Sequence, residues 1–315
     1  MSAFKSGYMQ LVYYSLFNGF VGVLVRLAHN LDTLSIVFFR AAIAAAFVGL
    51  ICVVSRQGGT LRLRNPRATL LVGLLQGTMI ALIMGALRRT SVSNALFLLY
   101  SAPVFAVVLA RLCLHESIAA TTWRGIGIAL LGVLCIVDPR ALSLDATHAL
   151  GNLMALGAAA ALAAMTVAAK PLSHQVSGKY IVFWQYVVIA VVTLPLVPAP
   201  APATLLANWW QLGGLGIPCT GIAYLFYMRG VRSVPAQHVL IVASLEPLVG
   251  TVIAGVVLGE AISSLTLVGA TCIVLGTYRV ARARMAPTAP ATRRFVPSRS
   301  AMSVVTVSTA DHGMA

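Results

Sequence analysis

"SAPVFAVVLARLCLHE", residues 101–116, and "SLEPLVGTVIAGVVLGE", residues 244–260, decide how this chain folds. With the prolines aligned, an offset of 144 brings Pro103 onto Pro247, Ala110 onto Ala254, Leu114 onto Leu258 and Glu116 onto Glu260. The match continues downstream, with Gly125 on Gly269, Leu131 on Leu275 and Gly132 on Gly276. A two-residue slip upstream superposes Ser91-Val92 on Ser233-Val234. Apolar residues coincide easily by chance, but a proline, an acid and glycines in fixed order do not. The chain therefore reads as an internal duplication.

The solvent for these repeats is set by composition. Of 315 residues, 59% are hydrophobic and only 9% are charged. A soluble domain carries roughly a quarter charged residues, and 22 basic with 7 acidic side chains cannot cover a soluble surface of this size. The medium is largely lipid. A net charge of +15 could suggest nucleic acid, but the basic residues sit in short gaps between apolar segments, so nucleic acid is not an expected partner.

A helix needs roughly 20 apolar residues to cross a bilayer. Ten stretches qualify: 8–27, 33–55, 68–87, 91–112, 120–137, 149–169, 179–197, 208–228, 235–258 and 263–281. The expected fold class is an all-α membrane protein of ten transmembrane helices, arranged as two inverted five-helix repeats. The first occupies 1–140 and the second 141–284, with a disordered basic cytoplasmic tail over 285–315. Five spans per repeat is odd, so the second copy enters the membrane upside down relative to the first. With the N-terminus inside, 17 of the 22 basic residues fall in inside segments. Only Arg26, Arg88, Arg89 and Arg140 fall outside, and Arg40 lies within a span. This bias places both termini in the cytoplasm. The basic collar then lies near anionic headgroups. Trp123, Trp209 and Trp210 fall at span ends, where indole favours the interface.

The first apolar run is of spanning length and has no small-residue cleavage site, so it reads as a span and not a cleavable signal. The five cysteines form no CxxC pair and read as small buried residues with free thiols. No cofactor or metal is expected.

Inverted repeats around a midplane site are the architecture of secondary transporters. The polar residues inside the spans are then the candidates for the site. Arg40, in "FFRAAIAAA", sits mid-span, where an arginine costs about 2.5–3.5 kcal/mol to insert. It should face the bundle interior, either as an anion-binding group in the substrate path or as an anchor for backbone carbonyls. Glu246 is the only acid well inside a span. It could couple transport to protons or serve as a structural acid beside the proline, and the structural role is preferred. Candidate substrate contacts, with Arg40, are Asn18, Gln76, Tyr100, Trp184, Gln185 and Tyr224, which would make a small pocket of mixed polarity. His238 is placed towards the interface. Pro103 and Pro247 should kink their helices at equivalent heights, and Glu116 and Glu260 are read as caps at span ends. The glycines at 125, 127 and 132 should permit close helix packing.

Taken together, these stretches resemble the drug/metabolite transporter superfamily, in its ten-span, twin EamA-domain branch. The likeness rests on Arg40 in its run, on "SVSNALFLLYSAPVFAVVLARLCLHE" with "GIGIALLGV", and on "VRSVPAQHVLIVASLEPLVGTVIAGVVLGE" with "VGATCIVLGTY". It covers residues 8 to about 281. The family often has a tryptophan midway through spans 1 and 6; here span 1 reads Phe17-Asn18-Gly19 and span 6 is nearly all alanine. The resemblance implies a carrier of the cell inner membrane that exports small amphiphilic metabolites, such as amino acids, by alternating access, with possible proton coupling. An uptake carrier or exchanger is the alternative reading, and a channel-like pore the rival of another class. A monomer is favoured over a dimer. An intramembrane enzyme is not expected: there is no HExxH, no GxSxG and no pair of intramembrane aspartates.

Overall fold

The computed structural model describes residues 2–116, 118–137, 148–198, 200–259 and 264–283. Glu260 and the tail from 285 onward lie outside the described residues, as do Asp138, Arg140 and Asp145. The described chain is helical. The helices of the first half are α1 (Ser2–Asn18), α2 (Val21–Leu27), α3 (Thr33–Val54), α4 (Pro66–Leu87), α5 (Val92–Leu99), α6 (Ala102–Cys113) and α7 (Ala120–Val137). Those of the second half are α8 (Ala149–Gln175), α9 (Gly178–Thr193), the short α10 (Pro202–Ala207), α11 (Trp209–Gly216), α12 (Ala223–Ser233), α13 (Ala236–Ala243), α14 (Glu246–Leu258) and α15 (Ser264–Ala283). By length and composition, eight runs among the described residues can cross a membrane, and Ala120–Ile136 is a shorter apolar helix. The remaining passage, the eighth in chain order, is α11 and α12, joined through a π-helical turn at Ile217–Ile222. All ten expected spans are thus helical.

Three passages are broken where the sequence reading had them continuous or only bent. The first divides at Gly19 and Phe20, between α1 and α2. The fourth divides between α5 and α6, and the ninth between α13 and α14. Pro103 and Pro247 are therefore not kinks within a helix. Each sits in the first turn of the half-helix that follows the break. There a missing N–H costs nothing, because the first turn has no acceptor for it.

The packing repeats under exchange of halves. The first span (α1) packs on the eighth (α12), and the third (α4) on the sixth (α8), which is the image of that pair. The second span (α3) packs on the seventh (α9), and the fifth (α7) on the tenth (α15), each pair being its own image. The α7–α15 seam is built from the glycines that the repeat brings into register. A Cβ on Gly132 would stand 2.6 Å from the Gly269 carbonyl oxygen, and one on Gly276 would stand 2.8 Å from that of Gly125. Backbone meets backbone there, which only glycine permits. Gly127, by contrast, faces open space. The alanine-rich α8 buries Ala155, Ala158, Ala159 and Ala163 completely, which lets α4 and α6 lie close on it. Large apolar side chains such as Leu50, Val54, Leu153 and Val256 point outward, as a lipid-facing surface requires.

Candidate functional site

A cavity of about 180 Å³ lies at the centre of the bundle. Its charged lining residues are Arg40 from α3 and Glu246 from the break in the ninth span; its polar lining includes Tyr14, Asn18, Gln76, Tyr100, Tyr186 and Tyr224. Ala41, Ile80, Leu99, Leu162 and Ile189 are among its apolar lining. The proposed contacts Arg40, Asn18, Gln76, Tyr100 and Tyr224 therefore converge, together with Glu246.

Arg40 is held by two neutral groups. Its Nε donates to the Thr220 hydroxyl, and Nη2 donates to Asn18 Oδ1 at 3.2 Å. Thr220 belongs to the π-helical turn, and its own hydroxyl donates to the Leu215 carbonyl at 2.6 Å. The turn is accommodated because glycines face α3: a Cβ at Gly216 would meet Ile43 at 2.5 Å, and one at Gly221 would meet Phe47 at 2.8 Å. With Nε and one Nη2 proton engaged, three of the five guanidinium N–H groups remain for the cavity.

From Arg40 a directional chain of hydrogen bonds crosses to Glu246. The Asn18 amide accepts from Arg40 and its Nδ2 donates to the Tyr14 hydroxyl at 3.3 Å. Tyr14 in turn donates to Glu246 Oε2 at 3.3 Å. Each donor points from the cation toward the acid, so the links polarise one another in the same sense. On the other wall, Gln76 Nε2 donates to the Tyr224 hydroxyl at 3.2 Å, while Gln76 Oε1 is buried without a partner.

The side of the cavity nearer the chain's N-terminus, called the terminal side below, is sealed by tyrosines. Tyr14 meets Tyr224 edge-on at 5.5 Å between ring centroids and Tyr227 at 4.8 Å; Tyr186 meets Tyr224 edge-on at 5.3 Å. Such tilted and edge-to-face pairs are the favoured aromatic geometries. The Tyr227 hydroxyl is fixed to Thr166 at 2.6 Å. On the opposite side the cavity continues. A cleft of about 450 Å³ shares Asn18, Val21, Tyr100 and Glu246 with it and runs to Arg26, Val92 and Leu258. A second cleft, of about 240 Å³, shares Val37, Ile80, Met84 and Ile189.

Other expectations are corrected by position. Trp184 does not line the cavity; its indole N–H donates to the Leu61 carbonyl at 2.9 Å and ties the loop after α3 to α9. Gln185 is fully buried away from the cavity lining, and neither polar atom of its side chain has a partner. Neighbours on a helix point about 100° apart, so a cavity that receives Tyr186 and Ile189 cannot also receive Trp184. His238 is not interfacial but buried, between the Tyr8 hydroxyl at 2.7 Å and the Thr122 hydroxyl at 3.3 Å. Glu116 accepts from the Ala236 amide at 3.3 Å, at the start of α13. Sequence reasoning missed Thr220, Tyr14 and Tyr186. A usable signal was there for one of them: Tyr14 lies one turn before Asn18.

Residues 5–138 and 149–282 each match the EamA-like transporter family. The pseudopaline exporter CntI of Pseudomonas aeruginosa is 31% identical over 218 residues, covering 68% of this chain and 74% of that protein. A protein of Archaeoglobus fulgidus, named only as a transporter, is 25% identical and covers 86% of this chain and 95% of its own. Human solute carrier family 35 member G1 is 24% identical over 68% of this chain and 59% of its own. A solved crystal structure superposes with a TM-score of 0.75 at 18% identity, over 91% of this chain and 99% of that one, and shares the fold. The chain belongs to the EamA-like transporter family and is a multi-span membrane transporter.

Proposed function

We propose that this member of the EamA-like transporter family is an alternating-access carrier that exports small carboxylate-bearing amphiphiles, such as amino acids, across the inner membrane, with the cavity at Arg40 as its binding site. The observation that carries this reading is the state of Arg40. Its partners in the cavity, Thr220 and Asn18, are both neutral, and three of its N–H groups are unspent. A cation so placed in a low-dielectric site is complementary to a carboxylate, which the planar guanidinium can grip with two hydrogen bonds. The apolar wall and the tyrosines suit the remainder of an amphiphile.

In this reading the two halves, 1–140 and 141–284, rock about the glycine seam. Both chain ends are cytoplasmic, as the distribution of basic residues favours, so the conformation described is open outward and closed by its tyrosines inward. The export direction is the one carried by the name of the pseudopaline exporter. Glu246, joined to Arg40 through Asn18 and Tyr14, is the group available for proton coupling: protonation removes the charge that strengthens the bond from Tyr14 and gives the acid a proton of its own to donate.

The test is counterflow in proteoliposomes over a panel of amino acids and other small carboxylates, with and without a proton gradient. Charge-assisted hydrogen bonds contribute about 1.5–3 kcal/mol each, so Arg40→Gln should lower flux roughly 10- to 100-fold, with Arg40→Lys in between. Glu246→Gln should retain exchange but lose its dependence on the gradient. Wild-type flux in both Arg40 variants at normal protein levels would remove the site from this cavity. Gradient-driven flux that survives in Glu246→Gln would remove the coupling role.

A further inference from the structure

The cleft that joins the cavity through Val37 and Ile80 has a counterpart on the terminal side. The first cleft lies between the start of α3, the end of α4 and the end of α9. Exchange of the two halves turns α3 into α9 and α4 into α12. The image should therefore lie between the start of α9, the end of α12 and the end of α3. A cleft of about 520 Å³ is found there, lined by Ser177 and Lys179, by Met228, Arg229 and Arg232, and by Gln57. It shares no lining residue with the central cavity, from which the tyrosine floor separates it. Each cleft carries two arginines at the end of the third span of its half: Arg88 and Arg89 in one, Arg229 and Arg232 in the other. Among the described residues, no acidic side chain lines either cleft.

The arginines of the terminal-side cleft could be set down to the general excess of basic residues on that side. Those of the other cleft cannot. That side holds only Arg26, Arg88, Arg89 and Arg140 in 315 residues, and two of the four stand at this one opening. The topology bias works against them, and although the register that sets Ser91 on Ser233 places Arg88 and Arg89 opposite Gly230 and Val231, the third span of the other half also ends with two arginines at its own cleft.

We infer that the two clefts are the alternate mouths of one permeation path and that the paired arginines recruit solutes of net negative charge. The inference rests on the carrier reading and narrows it: among carboxylate-bearing solutes, anions are favoured over zwitterions. A concave mouth lined by one sign of charge focuses the field and raises the local concentration of counter-charged solute, typically by about tenfold or more. In an alternating carrier only the open mouth should act, so each arginine pair governs entry from its own side.

The experiment needs no known substrate. Ile80 lines both the first cleft and the cavity, and Ile80→Cys in the full-length chain provides a thiol at the junction. Vesicles of each orientation are treated from outside with 2-sulfonatoethyl or 2-trimethylammonioethyl methanethiosulfonate, and modification of residue 80 is followed by peptide mass spectrometry, which separates it from the native cysteines. The anionic-to-cationic rate ratio for entry past Arg88 and Arg89 should fall roughly tenfold in Arg88→Gln/Arg89→Gln. It should be restored in Arg88→Lys/Arg89→Lys and be unaltered in Arg229→Gln/Arg232→Gln. From the terminal side the dependence should reverse. A ratio unmoved by the pair on the entry side, one moved equally from both sides, or a thiol that reacts from one side only would overturn the assignment. These outcomes are independent of whether Arg40 variants lose flux, so failure of the mouths and failure of the carrier site are told apart.

Discussion

The second span of each half begins in the same way and then carries opposite chemistry. Asp32 caps α3 by accepting from the Ser35 amide, and Ser177 caps α9 by accepting from the Tyr180 amide, in both cases three residues on. Eight residues after the cap stands Arg40 in one half and Gln185 in the other. The ninth and fourth spans differ likewise. The residue before Pro247 is Glu246, while the residue before Pro103 is the buried Ala102. The scaffold is duplicated but the charge is not. Each half contributes one charged group to the central cavity, the guanidinium from the first and the carboxyl from the second. The lesson is that backbone features which must work in both orientations, such as caps, breaks and glycine seams, are kept by the repeat, whereas the cavity needs only one copy of each charge.

The most severe way to break this comparison is to give the second half the first half's charge. Gln185 is fully buried with both polar side-chain atoms unpartnered, so Gln185→Arg would place a cation where nothing receives it. An uncompensated buried charge costs about 3–5 kcal/mol, and the variant should fail to accumulate as a monodisperse protein on size-exclusion chromatography. Gln185→Leu removes the unpartnered amide instead, and its melting temperature should hold or rise. If Gln185→Arg is stable, or Gln185→Leu is severely destabilised, the two positions do not differ in the way the packing states.

The shared part of the scaffold can be tested at the seam. A Cβ on Gly269 would stand 2.5 Å from the Gly132 carbonyl oxygen, with Ile136 and Cys135 also in the way, so α7 and α15 would have to part. Overpacking of this kind costs about 1–3 kcal/mol. Gly269→Ala should lower the melting temperature in detergent by several degrees, while Gly127→Ala, which faces open space, should leave it unchanged. Equal melting temperatures for the two would mean that the seam does not bear the close contact on which the pairing of halves relies.

How much of this was legible beforehand follows from what each feature requires. The spans were legible because a bilayer demands length and apolarity of every one of them. The breaks at Pro103 and Pro247 were legible as positions, though the prolines open new half-helices where a kink had been expected. Arg40 and Glu246 stood out because a charge in a span is expensive. The facing of Trp184 and Gln185 was not legible: composition says that a side chain is polar, and only the rotation of α9 says whether it meets the cavity or a neighbour. The π-helical turn was least legible of all: Pro218 marks a disturbed helix at mid-span, because it has no N–H to give, but nothing in the sequence says that the disturbance is a wider turn bringing the Thr220 hydroxyl to Arg40.

That hydroxyl gives the finest test of the asymmetry. Thr220 is a positioning residue: it holds the Arg40 Nε, while the remaining guanidinium protons face the cavity. Thr220→Val keeps the branched shape and removes the acceptor. A single hydrogen bond contributes about 1 kcal/mol net, which corresponds to roughly a fivefold change in affinity. The apparent KM for a carboxylate transported by the wild type should therefore rise about fivefold, with maximal flux and melting temperature nearly unchanged, and Thr220→Ser should restore it. In Arg40→Lys the further change Thr220→Val should have little effect, because a lysine has no Nε–H fork to be oriented. If Thr220→Val shifts KM equally in both backgrounds, the hydroxyl acts on the cavity by some route other than Arg40, and the second half's contribution to the anion site is packing alone.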